Sequence, residues 1–285
     1  MIKPLIAALV VVVSSAVAAA EQPKPVAIVT LLSGTATASG RNIALFDWMP
    51  AGATIEVGAK SRLVLAFADG RRWELAEKTK VSVTERGITA TTGVKQLASV
   101  SPLPAISAIP VSTDQRAAAI RVRGTKISGL YPNGGAASLP DATVLRFTAD
   151  GAATRYHVEV EDESGNTVFE AETASPTVAL SAGILKPGEH YYWNVRTVDR
   201  NGPAARGEAD FATLAADQVR EREALKSSIK DDDPSALALL AEVDRSLGLL
   251  WDARQSLQAA LARANGDTSL QQALDRIDAQ LHSND

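Results

Sequence analysis

The sequence contains no cysteine. Disulfide bridges, thiolate-bound zinc, thiol nucleophiles and a lipid-modified N-terminal cysteine are therefore excluded together. Histidine is nearly as scarce: His157, His190 and His282 are the whole supply, and none has a second ligand at metal-binding spacing. Aromatic residues make up 5% of the 285 positions, so a core must rest on Val, Leu, Ile and Ala. A basic excess is lacking as well. The formal net charge is -4, against the positive balance that general nucleic-acid binding requires. Common catalytic motifs are missing: there is no G-x-S-x-G, no H-E-x-x-H, no phosphate-cradling Gly-Lys-Ser/Thr loop and no G-x-G-x-x-G after a strand. Nothing marks two carboxylates as a hydrolytic pair. The expectation is a protein that is not an enzyme and carries no cofactor or metal.

What is present is 46% hydrophobic and 22% charged, the balance of a soluble globular protein. The length suggests two or three domains, at roughly 100–200 residues each. Lys3, the apolar run of residues 5–13 and the small-residue site at Ala18 and Ala20 before Glu21 form the three parts of a secretory signal. The run is short of the about 20 strongly apolar residues that a membrane span needs, and it lacks a basic flank. Cleavage after Ala20 is expected, giving a periplasmic or secreted protein that does not span the membrane. Residues 21–214 carry 20 basic and 20 acidic residues, whereas residues 215–285 carry 8 and 13, which marks the C-terminal part as a separate unit.

Residues 21–90 show a spacing of two. Leu63, Leu65 and Phe67 share one face, and the alternation returns at Trp73 and Leu75 and at Val81 and Val83. Gly34, Gly52, Gly58 and Asp69-Gly70 punctuate the runs. Asp-Gly between alternating strands predicts a hairpin, read here as a type I′ turn with positive φ at both central residues. The expectation is an all-β domain of hairpins. Gly34, then Ala51-Gly52-Ala53-Thr54-Ile55, then residues 61–67, Asp69-Gly70, Trp73-Glu74-Leu75, Val81 and Val83 resemble the FecR-like periplasmic domain. Arg71 departs from the small residue usual after Asp-Gly in that family. Full regulators of the family resemble a cytoplasmic segment, a membrane helix and this domain, so a chain opening on a secretory signal carries no implication of sigma-factor control. Within Leu45-Phe46-Asp47-Trp48-Met49-Pro50, Trp48 and Phe46 are candidate partner contacts, because an aromatic beside a carboxylate can stack on a sugar or anchor a peptide. The same Trp could instead cover the open end of a small β core.

Residues 91–120, with Pro102, Pro104 and Pro110 among Ala, Ser, Val and Thr, read as an extended connector. In residues 121–214 alternation returns. Tyr156, Val158 and Val160 face one way, while Arg155, His157, Glu159 and Glu161 face the other; Tyr191, Trp193 and Val195 define a further strand. Short strands at this density predict an antiparallel sandwich. Leu185, Pro187, Gly188 and Tyr191, followed by Val195, Asp199, Gly202 and Phe211-Ala212-Thr213, resemble the fibronectin type III family. By that resemblance Tyr191 is the tyrosine-corner residue, its hydroxyl bonded to nearby backbone. The early-strand Trp of the family is absent, with Arg146-Phe147 in its place. Glu159, Glu161, Asp162 and Glu163 offer oxygen ligands of the kind calcium takes, but carboxylates alternating along a strand project without converging.

From residue 215 the period becomes helical. Leu225 and Ile229 sit on a first helix among charges. Asp231-Asp232-Asp233-Pro234 reads as a helix start, with Asp233 capping and Pro234 in the first turn. Leu237, Leu240, Ala241 and Leu247 form one apolar face that Gly248 closes, and Ala253, Leu257, Ala260 and Leu261 form another. Aligned on Pro234, Ala241, Gly248, Ala253, Leu257 and Ala260 resemble one tetratricopeptide repeat with its period of 34. A single repeat cannot bury its own face, so flanking helices must close it. Trp251 at the inter-helix turn is a packing residue or a third candidate contact.

The sequence thus predicts a multidomain chain: an all-β N-terminal hairpin domain, a fibronectin III-like β-sandwich middle domain and an α-helical C-terminal segment. The expected function is an exported, non-catalytic binding protein of the bacterial cell envelope whose FecR-like domain recognises a protein or envelope polymer. The alternatives are a structural component of an envelope assembly and a calcium-dependent adhesin.

Overall fold

The computed structural model describes residues 25–89, 92–104, 126–149, 151, 153–198 and 204–282. The expected signal segment and most of the expected linker lie outside the described residues. Four β-sheets occupy the first three quarters of the chain, and four helices follow.

The N-terminal strands are β1 (Pro25–Ser33), β2 (Ala36–Ala38), β3 (Arg41–Asn42), β4 (Trp48–Pro50), β5 (Thr54–Val57), β6 (Arg62–Phe67), β7 (Arg72–Leu75), β8 (Lys80–Thr84), β9 (Gly87–Thr89) and β10 (Val94–Gln96). They form two antiparallel five-stranded sheets, ordered β10-β7-β6-β1-β4 and β3-β2-β5-β8-β9. Leu63, Leu65 and Phe67 fill the space between sheets, as the period-two spacing predicts, together with Val29, Ile55, Leu75, Val81 and Val83. Their neighbours Val64 and Ala66 are equally buried, however, and β1 is buried without interruption from Ala27 to Leu32. The first sheet is covered on both faces. That is why β1 reads as a continuous apolar run and not as an alternating one.

The second cover is helical. Helices α1 (Ala216–Ser228), α2 (Pro234–Ser246), α3 (Leu250–Arg263) and α4 (Thr268–His282) follow the last strand, and α2 and α4 lie against β1. Leu237, Ala241, Leu257, Leu270, Leu274 and Ile277 share one core with the β residues. The acidic balance that sets the C-terminal part apart in the sequence does not keep it apart in the fold: Glu242 and Asp244 are buried, and the apolar face of the helices is continuous with the first sheet. One buried guanidinium ties the layers polar to polar. Arg72 on β7, 1% exposed, pairs with Asp233 and donates to Ser235 Oγ and to the Ala98 carbonyl.

The Asp-Gly hairpin between β6 and β7 forms with a different turn from the one expected. Gly70 has φ +84°, but Asp69 is not among the residues of positive φ. Gly70 N–H donates to the Phe67 carbonyl, and Phe67 N–H to that of Arg71, the pattern of a three-residue loop closed by a left-handed glycine. A Cβ on Gly70 would lie 2.1 Å from the Val100 carbonyl oxygen, so the close approach of residues 100–101 requires a glycine here.

The middle strands are β11 (Ala137–Ser138), β12 (Val144–Arg146), β13 (Tyr156–Asp162), β14 (Thr167–Thr173), β15 (Thr177–Ala179), β16 (His190–Thr197) and β17 (Arg206–Thr213). A sheet ordered β11-β17-β16-β13-β14 faces the pair β12-β15 across Leu145, Phe147, Tyr156, Val158, Trp193, Val195 and Phe211. Tyr191 is buried, and its hydroxyl accepts the Lys186 N–H at 2.8 Å. This unit joins the others through Ala137 N–H, which donates to the Gly248 carbonyl, and through an apolar cluster of Ile28, Ala66, Val100, Ala137, Leu214, Leu225 and Leu239.

Candidate functional site

The segment between β3 and β4 anchors itself with Ile43 and Leu45, which enter the core, and then turns sharply. Phe46 has φ +71°, a left-handed conformation that a bulky L-residue adopts only under constraint. The constraint is a set of hydrogen bonds: Phe46 N–H donates to the Val29 carbonyl, Val29 N–H to the Asp47 carbonyl, and Ala44 N–H to Asp47 Oδ2 at 2.7 Å. The turn presents Phe46 and Trp48 toward the helical layer.

Opposite them stand α2, α3 and α4. The helical spacing of four places Ala241 and Arg245 on one face of α2, and Ala273, Ile277 and Arg276 beside Gln280 along α4. Together these residues enclose a cleft of about 320 Å³ whose floor is aliphatic and whose wall carries the two aromatics. Trp48 is 38% exposed, one of the few large hydrophobic side chains so open. Glu242 is buried at the edge of the cleft and accepts two hydrogen bonds from Arg245, each at 2.7 Å. That pairing raises the Arg245 guanidinium further above its ordinary value. Arg276 donates its Nε–H to the Gln272 carbonyl and has no ion pair among the described residues. Donors aimed by helices over an aliphatic floor, beside a half-open Trp, can hold an apolar group that ends in an acceptor. Nothing in the cleft combines a nucleophile with a base.

Two sequence-predicted contacts, Phe46 and Trp48, thus come together in one cleft. Trp251 lies elsewhere. Its ring has the Arg146 guanidinium 4.2 Å and that of Arg254 5.5 Å from its centroid, and the backbone N–H of Trp251 donates to the Tyr131 hydroxyl. It joins the helices to the middle sandwich within the chain. The acidic group of β13 does not converge: Glu159 accepts from Thr167 and Asn194, and Asp162 accepts from the backbone and side chain of Asn166. These bonds hold both carboxyls below the usual carboxylate range. Among the described residues no three His, Asp or Glu side chains are placed to hold a metal ion. His157 lies 3.4 Å from Glu170 and His190 2.9 Å from Asp210, each in a separate pair.

Sequence reasoning missed two features. One is Arg222, buried on α1 and pairing with Asp244, Asp252 and Glu223. The other is a second copy of the α2 pattern in α4. Asp233, Ser235, Leu240, Asp244 and Leu247 recur one 34-residue period later as Asp267, Ser269, Leu274, Asp278 and Leu281. Asp267 caps α4 as Asp233 caps α2, accepting from the second and third N–H of its helix. Asp278 takes a hydrogen bond from Arg254 on the preceding helix, as Asp244 does from Arg222. The recurring aspartates and serine were the signal available in the sequence.

No family model and no curated protein matches the chain. Among solved structures it is similar to CopC from Methylosinus trichosporium OB3b, with 19% identity over 32% of this chain and 95% of that one, at a TM-score of 0.26. It is also similar to a beta-1,2-glucanase from Parabacteroides distasonis, with 10% identity over 84% of this chain and 50% of that one, at a TM-score of 0.24. No helix among the described residues is long and apolar enough to cross a membrane.

Proposed function

We propose that the chain is an exported, non-catalytic binding protein of the bacterial cell envelope, and that its N-terminal β unit, resembling the FecR-like domain, recognises a protein or an envelope polymer. The observation that carries this reading is the cleft in which a constrained turn presents Phe46 and Trp48 against α2 and α4. A strained turn with an open aromatic is costly to a fold and is kept where something binds. The Tyr191 hydroxyl bond supports a fibronectin III-like middle unit that spaces the others. The recurrence of the α2 caps in α4 supports a tetratricopeptide-like character for the helices.

A permanent structural role in an assembly is disfavoured by the surface. Among the described residues the open large apolar side chains are Trp48 on β4 and Tyr192 and Val198 on and directly after β16, whereas a permanent assembly calls for a broad apolar patch. The test is retention of envelope components by the full chain and by Trp48→Ala and Phe46→Ala variants. Expected is a component retained by the native chain and lost by both variants, with a mature N-terminus at Glu21. Equal retention by all three would remove the cleft from the function.

A further inference from the structure

A sheet ends in strands whose outer backbone groups lack partners, and proteins guard such edges by keeping them short or by placing lysine or proline on them. The outermost strands β3, β4, β9, β10 and β11 run two or three residues. Strand β14 breaks this pattern. It is the edge of the middle sheet, runs seven residues and contains neither lysine nor proline. Among the described residues it pairs with β13 on one side and with no strand on the other. Its bulge lies at Val168, which leaves Phe169 to Thr173 in regular register. Phe169 packs on the sandwich core but is only partly buried, so the core is half-open at this edge. We infer that β14 receives residues 119–123 of a second copy of the chain as an added strand.

That segment lies outside the described residues and reads Ala-Ile-Arg-Val-Arg, apolar and basic in alternation. Strand β14 alternates in the complementary sense: Glu170 and Glu172 share one face of the sheet, while Phe169 and Ala171 share the other with Val158 and Val160. With Arg121 and Arg123 opposite the two glutamates, in either strand direction, Val122 falls opposite Ala171 on the core side. The glutamates are open to such partners. Glu172 lies 3.4 Å from Arg155 and Glu170 3.4 Å from His157, but their side chains are 51% and 62% exposed, and pairs so open contribute little. Farther in on this face, Glu159 and Glu161 add two carboxylates and Arg196 one guanidinium, while Arg206 pairs with Glu208 and His190 with Asp210. The face beside the edge is acidic on balance, and a neighbouring strand that brings arginine matches it.

The chain cannot supply this segment to itself. Lys126 bridges Arg206 on the far side of β17, and Arg206, Arg196, His157 and Glu172 form one row across the sheet. From Lys126 to a strand beyond β14 the distance is five strand spacings, about 24 Å. The chain from Arg123 to Lys126 spans at most about 11 Å, and that from Arg121 about 18 Å. A second copy must provide it.

The experiment is sedimentation of the full chain from low to high micromolar concentration, and it involves no residue of the Phe46–Trp48 cleft. Expected is a mass that rises from one chain to two or more, with high salt weakening the association. Glu170→Lys with Glu172→Lys, and separately Arg121→Glu with Arg123→Glu, should each weaken it by about tenfold or more, because like charges then stand opposite each other. Mixing the two variants should restore it, since the segment of each then meets an edge of opposite charge; the recovery also reports that both are folded. The absence of cysteine permits a second measurement. One copy carrying Val122→Cys and another carrying Ala171→Cys should be joined by a short bismaleimide. A native chain of single mass at every concentration, an association indifferent to either charge reversal, or copies that do not cross-link through these two positions would overturn the inference.

Discussion

Gly70 and Phe46 both occupy left-handed backbone, and only one of them is a glycine. At Gly70 the turn and the Val100 carbonyl leave no room for a side chain. Gly70→Ala should therefore destabilise the fold by about 1–3 kcal/mol, the cost of a strained backbone position, read from urea unfolding. The Asp-Gly pair was legible in the sequence as a hairpin. Which turn it makes was not, because a two-residue and a three-residue loop both place this glycine at positive φ. Phe46 gave no sequence signal of its conformation, since the bonds of Phe46 N–H to Val29 and of Val29 N–H to Asp47 that hold the turn are long-range products of the fold.

Helix α2 and helix α4 start alike, yet their caps carry different loads. Asp233 caps α2 and also neutralises Arg72, which is buried under the helical layer. Asp267 caps α4 and has no such second duty among the contacts of its carboxylate. Asp267→Ala should cost about 1 kcal/mol, the value of a cap. Asp233→Ala should cost about 3–5 kcal/mol, because it strands a buried guanidinium. Equal losses in chemical denaturation would show that the Arg72 pairing contributes nothing. The strands were readable from their period of two where one face is wet, as in β8 and β16. They were misleading where both faces are covered: Val64 and Ala66 are as buried as Leu63 and Leu65, because helices more than 150 residues later lie on them. The sequence reading sets Trp251 at an inter-helix turn; it lies in the first turn of α3. Its partners, Arg146 and Tyr131, come from another unit, and no local pattern announces them.

For the molecule as a whole, the helical layer makes stability depend on pH in two opposite ways. Burial raises Asp244 to about 6 despite its pairing with Arg222, so the folded state holds that proton more tightly than the unfolded chain does. The contribution is full below the unfolded value of 3.8 and is lost as pH rises through about 6. Unfolding free energy should accordingly rise from pH 7.5 to pH 5, and Asp244→Asn should flatten that rise. Asp233 behaves in the opposite sense. Burial alone would raise it, but the Arg72 guanidinium and the Ser235 hydroxyl outweigh burial and hold it below 3.8. Its contribution is present above that value and vanishes as pH falls through the depressed one, loosening the helices from the sheet in strong acid.

The first sheet's second cover also sets a timetable. Strand β1 is made near the beginning of the chain, and α4, which packs across it, near the end. During synthesis the outer face of β1, from Ile28 to Leu32, waits for more than 200 residues before its last partner exists. Contacts of such long separation form late and slowly, and an apolar strand waiting for them is prone to pair with the wrong neighbour. A ribosome stalled before residue 268 should therefore display a collapsed species that does not become native until the final helix is supplied.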